Sequence, residues 1–253
     1  MFQKEREVKI LEKLRLYNRV SVKELYEEFN LSKSSIRRDL KILQMKGLLV
    51  RTYGGAIALR GREVYQPLEI RKREFRESKI RIAKKAASLI KKGEFIAING
   101  GTTTYYMVPF LINMRDIAVI TDSIEIYIEL SKNKNIEHYL TGGSLSKDTM
   151  NLSGPLTVEA LNHFFFDKLF LGVSGIHLEK GITGFIFEES ITKKNMIKKA
   201  KQVIVCADSS KINRIDRCVI SQVEGINILI TDQGIKEEER KFLEKRGIEV
   251  ILT

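Results

Sequence analysis

The 253-residue sequence has few of the residues that build disulfide frameworks and metal centres. Its two cysteines, Cys206 and Cys218, are separated by eleven residues and form no CxxC motif. That spacing argues against a disulfide scaffold or a thiolate zinc site. The three histidines are scattered and make no HExxH pattern. We therefore expect a globular protein that uses neither a metal nor another cofactor.

Long apolar runs are also missing. The longest has about five residues, at Val203–Ala207, whereas a helix that crosses a bilayer needs about 20. The N-terminal stretch MFQKEREVKI lacks the apolar segment of a secretion signal. With 43% hydrophobic and 30% charged residues, the chain can still bury a core. These features predict a cytoplasmic protein without a membrane partner.

Positive charge is concentrated near the N-terminus. The net charge is +12, and residues 1–62 supply +8 of it, with 15 Lys or Arg against 7 Asp or Glu. This asymmetry predicts a small basic module joined to a nearly neutral one. A basic surface attracts polyanions such as DNA, because neutralised phosphates release their counterions. Charge alone does not distinguish DNA binding from a basic surface that maintains solubility.

Residues 1–59 have the pattern of a small DNA-binding domain. Ser21 and Glu24 have the spacing of a capping box, so a helix should begin at Val22. Ser32 is a second capping residue and should begin the next helix after a tight turn. Apolar periodicity predicts three helices, at Gln3–Leu16, Val22–Phe29 and Lys33–Lys46.

The third predicted helix has one apolar and one polar face. Ile36, Leu40 and Leu43 recur at spacings of four and three and should be buried. The opposite face carries hydroxyl groups and guanidinium groups. Such a face suits the major groove, since Arg can donate two hydrogen bonds to guanine. The residues of this segment that we expect to contact DNA are Ser32, Lys33, Ser34, Ser35, Arg37, Arg38 and Lys41.

A hairpin is predicted directly after this helix. Its strands are Leu48–Arg51 and Ala56–Leu59, joined by a glycine turn. The hairpin would form a wing, with Arg51, Tyr53 and Gly54 at the DNA backbone or minor groove. The alternative is a helical dimerisation module with a charged surface. The helix spacing, the caps, the basic face and the wing together favour DNA binding.

Residues 78–253 are predicted to form an α/β domain, connected to the first domain by residues 60–77. Short buried strands alternate with helices, which is typical of a mainly parallel sheet. Ligands of such sheets bind at the carboxyl ends of the strands. The predicted strands are Phe95–Ile98, Ile117–Thr121, Ile136–Leu140, Lys168–Val173, Val203–Ala207, Asn227–Thr231 and Glu249–Leu252.

Four loops after these strands are rich in glycine, serine and threonine. Glycine lets the backbone approach an anion closely, and hydroxyl groups add hydrogen-bond donors. Any one of these loops alone is an ordinary turn sequence. Their convergence on one sheet edge favours a small phosphorylated ligand. The loops are Gly100–Thr104, Thr121–Ser123, Thr141–Ser144 and Ala207–Lys211.

Several segments resemble a known family. LSKSSIRRDLKILQMKGLLVRTYGGA, at residues 31–56, resembles the recognition helix and wing of DeoR-type bacterial transcription regulators. GGTTT, TDSI, TGG, FLGVSGI and ADSSK then follow in the order of that family, so the resemblance covers nearly the whole chain. It implies a winged helix-turn-helix followed by a sugar-phosphate-sensing domain similar to ribose phosphate isomerase and coenzyme A transferases.

The resemblance also implies an effector site, with a phosphate group at the GGTTT loop. Two residues depart from the family pattern, because Asn99 stands where Asp is usual and Asp122 where Asn is typical. This exchange is expected to alter effector preference. The implied effector-binding residues are Gly100, Gly101, Thr102, Thr103, Thr104, Thr121, Asp122, Ser123, Gly142, Gly143, either Lys193 or Lys194, and Lys211.

These features predict a transcriptional regulator that is not an enzyme. By the resemblance, its default form is a repressor of a carbohydrate-metabolism operon, released by a phosphorylated sugar. One small module binds DNA modestly, so we expect a homo-oligomer, dimer or tetramer, on double-stranded operator DNA.

Two other functional classes remain open. A sugar-phosphate isomerase with an accessory DNA-binding domain would need a carboxylate that moves a proton. The loop Phe170–Ile176 contains no carboxylate, and Glu179, Glu188 and Glu189 are interpreted as parts of a solvated surface. The third class is a DNA-binding protein whose second domain is purely structural and binds no ligand.

Overall fold

A computed structural model describes residues 3–58 and 67–253 of the chain. The chain divides into two compact units, the first ending at Glu74 and the second running from Phe75 to Thr253. Of the connection predicted at residues 60–77, residues 60–66 lie outside the described part. The rest is not an irregular linker, because Leu68–Arg73 forms a helix and another helix begins at Arg76.

The first unit combines helices with a small antiparallel sheet. Its helices are α1 (Gln3–Tyr17), α2 (Val22–Phe29), α3 (Lys33–Met45) and α4 (Leu68–Arg73), and its strands are β1 (Arg19–Ser21), β2 (Val50–Thr52) and β3 (Gly55–Ile57). β3 lies between β1 and β2 and is antiparallel to both. The predicted hairpin is therefore confirmed, although both strands are shorter than predicted and Leu59 lies outside the described residues.

Local capping explains where the helices of this unit begin and end. The Ser21 hydroxyl accepts a hydrogen bond from the Glu24 amide at 3.0 Å, and the Glu24 carboxylate accepts one from the Ser21 amide at 2.9 Å. Ser32 caps α3 by accepting from the Ser35 amide at 3.2 Å. Gly47, at φ +67°, follows α3 in the left-handed conformation that glycine favours. The predicted capping box and Ser32 cap are confirmed, and so is the left-handed cap that a glycine at position 47 predicts for the end of α3.

The apolar faces of α1, α2 and α3 pack into one core. Ile36, Leu40 and Leu43 are buried, as their spacing predicts. Helical spacing predicts that Tyr17 belongs to the apolar stripe of Ile10 and Leu14. This prediction is wrong, because Tyr17 is 66% exposed. Tyr17 is the last residue of α1, and the chain turns at Asn18, which has φ +60°.

The second unit is an α/β domain. Its helices are α5 (Arg76–Ser88), α6 (Thr102–Tyr105), α7 (Val108–Leu111), α8 (Ile124–Leu130), α9 (Pro155–Asn162), α10 (Phe187–Lys199) and α11 (Glu237–Glu244). Its strands are β4 (Phe95–Ile98), β5 (Ala118–Thr121), β6 (Glu137–Leu140), β7 (Ser144–Leu145), β8 (Leu152–Ser153), β9 (Phe166–Leu171), β10 (Gly175–His177), β11 (Gly181–Gly184), β12 (Ala200–Cys206), β13 (Cys218–Ser221), β14 (Ile228–Thr231) and β15 (Glu249–Leu252).

Seven of these strands form one parallel sheet, in the order β15-β14-β12-β9-β4-β5-β6. Alternate residues of β4 enter different cores: Ile96 and Ile98 pack on one face, and Ala97 packs on the other. Apolar side chains therefore cover both faces of the sheet, as is usual for parallel sheets. Polar loop residues gather at its carboxyl edge.

The structure corrects several details of the sequence prediction. The sequence between the first two strands predicts one helix from the GGTTT loop to about Asn113, but α6 and α7 are separate four-residue helices. Pro109 lies in the first turn of α7, and a proline inside a longer helix would remove a backbone hydrogen bond. A small antiparallel sheet, in the order β10-β11-β13, was not predicted. No helix within the described ranges is long and apolar enough to cross a membrane.

Candidate DNA interface and effector site

The outer face of α3 is basic and solvent-exposed. Lys33, Arg37, Arg38 and Lys41 are exposed, and the Lys33 ammonium lies 5.0 Å from the centre of the Tyr26 ring. The three serines at the start of the helix are joined by hydrogen bonds between their hydroxyl groups, at 2.8 and 3.0 Å. The helix therefore presents four cations and a hydroxyl cluster on the face opposite the core.

Two ion pairs attach α3 to α1, and sequence reasoning did not identify them. The Arg6 guanidinium donates to both Asp39 oxygens, at 2.7 and 3.2 Å, and this pairing raises the pKa of Arg6. Lys46 donates to the buried Glu7 at 2.6 Å. Asp39 follows two arginines that point outward, yet it is 1% exposed. One sequence signal could have identified the Arg6–Asp39 pair. Asp39 lies three residues after Ile36, which places its carboxylate on the apolar face of α3.

The wing rests on a close backbone contact. A Cβ on Gly55 would lie 2.0 Å from the Val20 carbonyl oxygen, so no larger residue fits there. The Val22 amide donates to the Gly54 carbonyl at 2.8 Å. Tyr53, at the tip of the turn, is fully exposed. The wing therefore presents the Tyr53 ring to solvent on a firmly held turn.

The centre of the parallel sheet contains a topological switch point. β4 and β9 are neighbours, β5 and β6 lie beyond β4, and β12, β14 and β15 lie beyond β9. Such a point leaves a crevice at the carboxyl ends of the strands, where ligands of open α/β sheets bind. Gly101 and Gly172 face each other there, because a Cβ on Gly172 would lie 3.4 Å from the Gly101 Cα. Bare backbone therefore lines both sides of the crevice.

Asp122 is fully buried beside this crevice. Its carboxylate accepts hydrogen bonds from the Gly100 amide at 2.6 Å and from the Asn99 side chain at 2.7 Å. Burial raises the pKa of Asp122 to about 6; the nearby Glu189 also raises it, and the two hydrogen bonds and Lys193 lower it. The two residues that depart from the family pattern, Asn99 and Asp122, are thus direct hydrogen-bond partners.

α10 brings a buried cation and a buried carboxylate to the same region. Lys193 donates to the Gly172 carbonyl at 2.9 Å and is 6% exposed, whereas Lys194 is exposed. Of the two alternatives, Lys193 is the lysine at the crevice. The interpretation of Glu189 as solvated is wrong, because Glu189 is buried and accepts a hydrogen bond from the Thr149 hydroxyl. Glu189 is buried because it lies on the inner face of α10.

Asn151 also lies at the crevice, although no sequence pattern identifies it. Its side-chain amide donates to the Gly100 carbonyl at 3.1 Å, and a Cβ on Gly100 would lie 1.8 Å from its Oδ1 atom. The Oδ1 atoms of Asn99 and Asn151 are both buried and have no hydrogen-bond partner among the described residues. Since buried polar atoms are normally paired, these two acceptors would gain from a ligand that donates hydrogen bonds.

Other predicted effector residues have structural partners. The Thr104 hydroxyl donates to the carbonyls of Asn99 and Gly101, at 2.7 and 3.0 Å. The Thr121 hydroxyl accepts from the Ser123 amide at 3.1 Å. Thr102 is half-buried and Thr103 is buried. These residues shape the loops after β4 and β5.

The two remaining predicted loops lie farther along the sheet edge. Gly142, in the left-handed region at φ +72°, accepts through its carbonyl from the Thr157 hydroxyl at 2.6 Å. Gly143 has φ +114°, and a Cβ there would lie 2.0 Å from that same hydroxyl oxygen. Lys211 is half-buried in a short helical turn after β12. β12 and β4 are separated by β9 in the sheet.

Titratable groups do not form a metal site in the described part of the chain, where no group of three or more His, Cys, Asp or Glu could hold an ion. Cys206 is buried in β12, and burial raises the pKa of its thiol to about 12. The chemistry available at the crevice is therefore hydrogen bonding and charge, supplied by amides, carboxylates and one ammonium group.

A winged helix-turn-helix joined to an α/β domain with a ligand crevice is the organisation of a ligand-responsive transcription regulator. Residues 6–61 match the model of the DeoR-like helix-turn-helix domain, and residues 74–233 match that of the DeoR C terminal sensor domain. The chain belongs to the DeoR family. Its role is regulatory and not enzymatic, and the predicted winged helix-turn-helix plus parallel α/β fold is confirmed.

Named relatives are similar over their full length. HTH-type transcriptional repressor GlcR of Bacillus subtilis (strain 168) is 35% identical over 100% of this chain and 97% of its own. A putative aga operon transcriptional repressor of Escherichia coli O157:H7 is 32% identical over 98% and 93%. Among solved structures, ribose 5-phosphate isomerase from Plasmodium falciparum is 17% identical, covers 54% of this chain and 52% of its own, and has a TM-score of 0.40.

Proposed function

We propose that this protein represses a carbohydrate-metabolism operon and that a phosphorylated sugar in the crevice of the second unit changes its affinity for operator DNA. The observation that carries the proposal is the crevice between β4 and β9. It combines facing glycines, a buried lysine and two buried amide oxygens without partners. Homologues are named as repressors, including the one of the aga operon. They support repression as the direction of regulation and a metabolic operon as its target.

Within the crevice, the phosphate and the sugar have different partners. The phosphate lies against the loop Gly100–Thr104, where glycine backbone allows close approach and first-turn amides have no partner within the helix. Lys193 supplies the nearby positive charge. The sugar hydroxyl groups donate to the amide oxygens of Asn99 and Asn151, which removes the cost of leaving two buried acceptors unpaired. Asp122 holds Asn99 in place for this contact.

The DNA contacts come from α3 and the wing. Ser32, Ser34 and Ser35 lie at the N-terminal end of α3, which approaches the base edges, and Arg37 and Arg38 supply base and phosphate contacts. Lys33 and Lys41 add phosphate contacts, while Arg51, Tyr53 and Gly54 anchor the wing on the backbone or in the minor groove. Two or more copies act on repeated half-sites, as a homodimer or homotetramer in the cytoplasm.

The effector acts only through a difference in affinity. It must bind one arrangement of the DNA-binding units more tightly than the other, and the shift in operator affinity cannot exceed that difference. The test is operator binding at fixed salt, with and without a panel of sugar phosphates. A compound that specifically weakens binding supports the proposal. If no compound of the panel changes tight and specific DNA binding, the protein is still a DNA-binding regulator, but a phosphorylated sugar as its ligand is refuted.

Two variants separate the two sites. Arg37→Ala should weaken specific binding by about 1–3 kcal/mol if Arg37 contacts a base, while Lys84→Ala removes one exposed charge from the second unit and should change little.

Lys193→Met should abolish the effector response and retain operator binding. Lys180→Met, at an exposed lysine, is its matched control. A normal effector response in Lys193→Met would place the phosphate elsewhere.

A further inference from the structure

α10 has two faces with different chemistry. Its inner face is buried and carries Glu189 and Lys193, which lie at the crevice. Its outer face carries Phe187, which is 63% exposed, and Ile191, which is 38% exposed. These two apolar residues are four positions apart, so they lie next to each other on one side of the helix. An apolar pair on a helix exposed to solvent is a candidate contact surface.

The neighbouring helix extends this apolar surface. α9 packs beside α10, and the Lys199 ammonium donates to the Asn162 carbonyl at 3.4 Å and lies 5.0 Å from the centre of the Phe165 ring. Leu156, in the first turn of α9, is 71% exposed, and Phe165, just beyond its end, is 73% exposed. We call Leu156, Phe165, Phe187 and Ile191 the α9–α10 patch.

The size of the patch fits a protein interface. At about 200 Å² for a large apolar side chain, the exposed parts of the four residues amount to roughly 400–500 Å². A stable interface buries about 800 Å² on each partner, and about 65% of a homodimer interface is apolar. The patch therefore supplies most of the apolar area that one side of a homodimer needs.

We propose that the α9–α10 patch is the contact surface for a second copy of this chain, with the two α10 helices antiparallel across a two-fold axis near Ile191. This inference rests on the proposed function, because a repressor that binds repeated half-sites needs a surface for self-association. A two-fold contact buries the same patch on both copies, so one apolar surface satisfies both partners.

The charges of α10 favour the antiparallel arrangement. Its first turn is acidic, with Glu188 and Glu189, and its last turn is basic, with Lys198 and Lys199. Glu188 lies three residues before Ile191 and exposed Lys194 lies three residues after it. With a two-fold axis at Ile191, the helical turn that contains Glu188 lies opposite the turn that contains Lys194 of the second copy. The symmetry produces this pair of opposite charges two times. Parallel helices would instead place like charges level with each other.

This arrangement places the effector site and the contact between copies on the same helix. Lys193 and Ile191 are two residues apart on one helix, but they face the crevice and the second copy respectively. One helix therefore carries both the proposed effector contact and the proposed contact between copies.

The test is a charge exchange followed by sedimentation analysis of the purified full-length chain. Glu188→Lys and Lys194→Glu should each weaken self-association about tenfold, because two attractive charge pairs become repulsive. The double variant Glu188→Lys/Lys194→Glu should restore it. An equimolar mixture of the two single variants should also restore it, since each unlike pair then forms between the two proteins. Lys180→Glu, at an exposed lysine outside the patch, is the matched control.

Three outcomes would overturn the proposal. The wild-type protein could be monomeric, the single variants could associate as tightly as wild type, or the mixture and the double variant could remain dissociated. Ile191→Asp provides a second probe that does not depend on the charge pairs, and it should also dissociate the oligomer. Operator binding by the wild-type protein is measured in parallel, so failure of this interface is distinguishable from failure of the proposed function.

Discussion

The buried carboxylate of Asp122 predicts an unusual dependence of stability on pH. Its pKa is raised from 3.8 to about 6, chiefly because burial disfavours the ionised form. A raised carboxyl pKa means that the folded state holds the proton more tightly than the unfolded state. This contribution to stability is fully present below about pH 4 and is lost as pH rises through about 6. Neutral pH is therefore where Asp122 weakens the fold most.

The variant Asp122→Asn removes this ionisation while keeping the shape of the side chain. A shift of about two pH units corresponds to about 3 kcal/mol, so the variant should be more stable than wild type by up to that amount at pH 7. The new amide can still accept from the Gly100 amide. Asn99 can rotate its amide so that its unpaired Oδ1 accepts from the new NH₂ group. The rotation moves the Asn99 NH₂ group to the position of the unpaired Oδ1, so one polar end of Asn99 stays unpaired in the variant, as in wild type.

The assay is thermal unfolding of the second unit from pH 4 to pH 8. At pH 7 the melting temperature of Asp122→Asn should exceed that of wild type by roughly 5–10 °C. The difference should shrink steadily as pH falls toward 4. Glu179→Gln removes an exposed carboxylate and should leave the profile unchanged. Parallel profiles for wild type and Asp122→Asn would refute the raised pKa, and a variant less stable at every pH would show that the ionised carboxylate stabilises the loop.

Three further predictions use the described contacts. Arg6→Ala leaves Asp39 buried without its guanidinium partner, so the first unit should lose about 3 kcal/mol, measured by chemical unfolding; equal stability would refute the role of the pair. Gly100→Ala places a Cβ 1.8 Å from a buried amide oxygen and should abolish the effector response measured by operator binding, whereas Glu179→Gln, at an exposed carboxylate, should leave that response intact. Cys206 should resist thiol reagents in the folded protein, as mass mapping of modified peptides would reveal, because burial raises the pKa of its thiol to about 12.

Local signals in the sequence were sufficient for much of the fold. Ser21 and Glu24 interact three residues apart, so their spacing alone predicted the start of α2. The predicted bounds of β4 and β15 match the structure, because short apolar runs between charged or glycine-containing loops mark both strands. Helix-turn-helix geometry is likewise a matter of spacing within about thirty residues. Contacts of this kind depend little on the rest of the chain.

The candidate site was harder to predict because long-range contacts assemble it. Asn151 contacts the Gly100 carbonyl across 51 positions, and Glu189 contacts Thr149 across 40. Neither residue lies in a loop with a recognisable composition. The choice between Lys193 and Lys194 depended on which face of α10 is buried, and a helix with lysines at adjacent positions does not reveal that face. The burial of Lys193 and its hydrogen bond to the Gly172 carbonyl, just after β9, identify that face.

The facing backbones of Gly101 and Gly172 have a consequence for how such a site can change. A Cβ at either position would already lie 3.4 Å from the Cα of the other glycine, so a side chain larger than alanine there would fill the crevice instead of resizing it gradually. Variation has to enter through residues that other loops contribute, such as Asn99, Asp122 and Asn151. A lineage that acquires a new effector is therefore expected to keep its phosphate anchor and to exchange the amides and carboxylates around it.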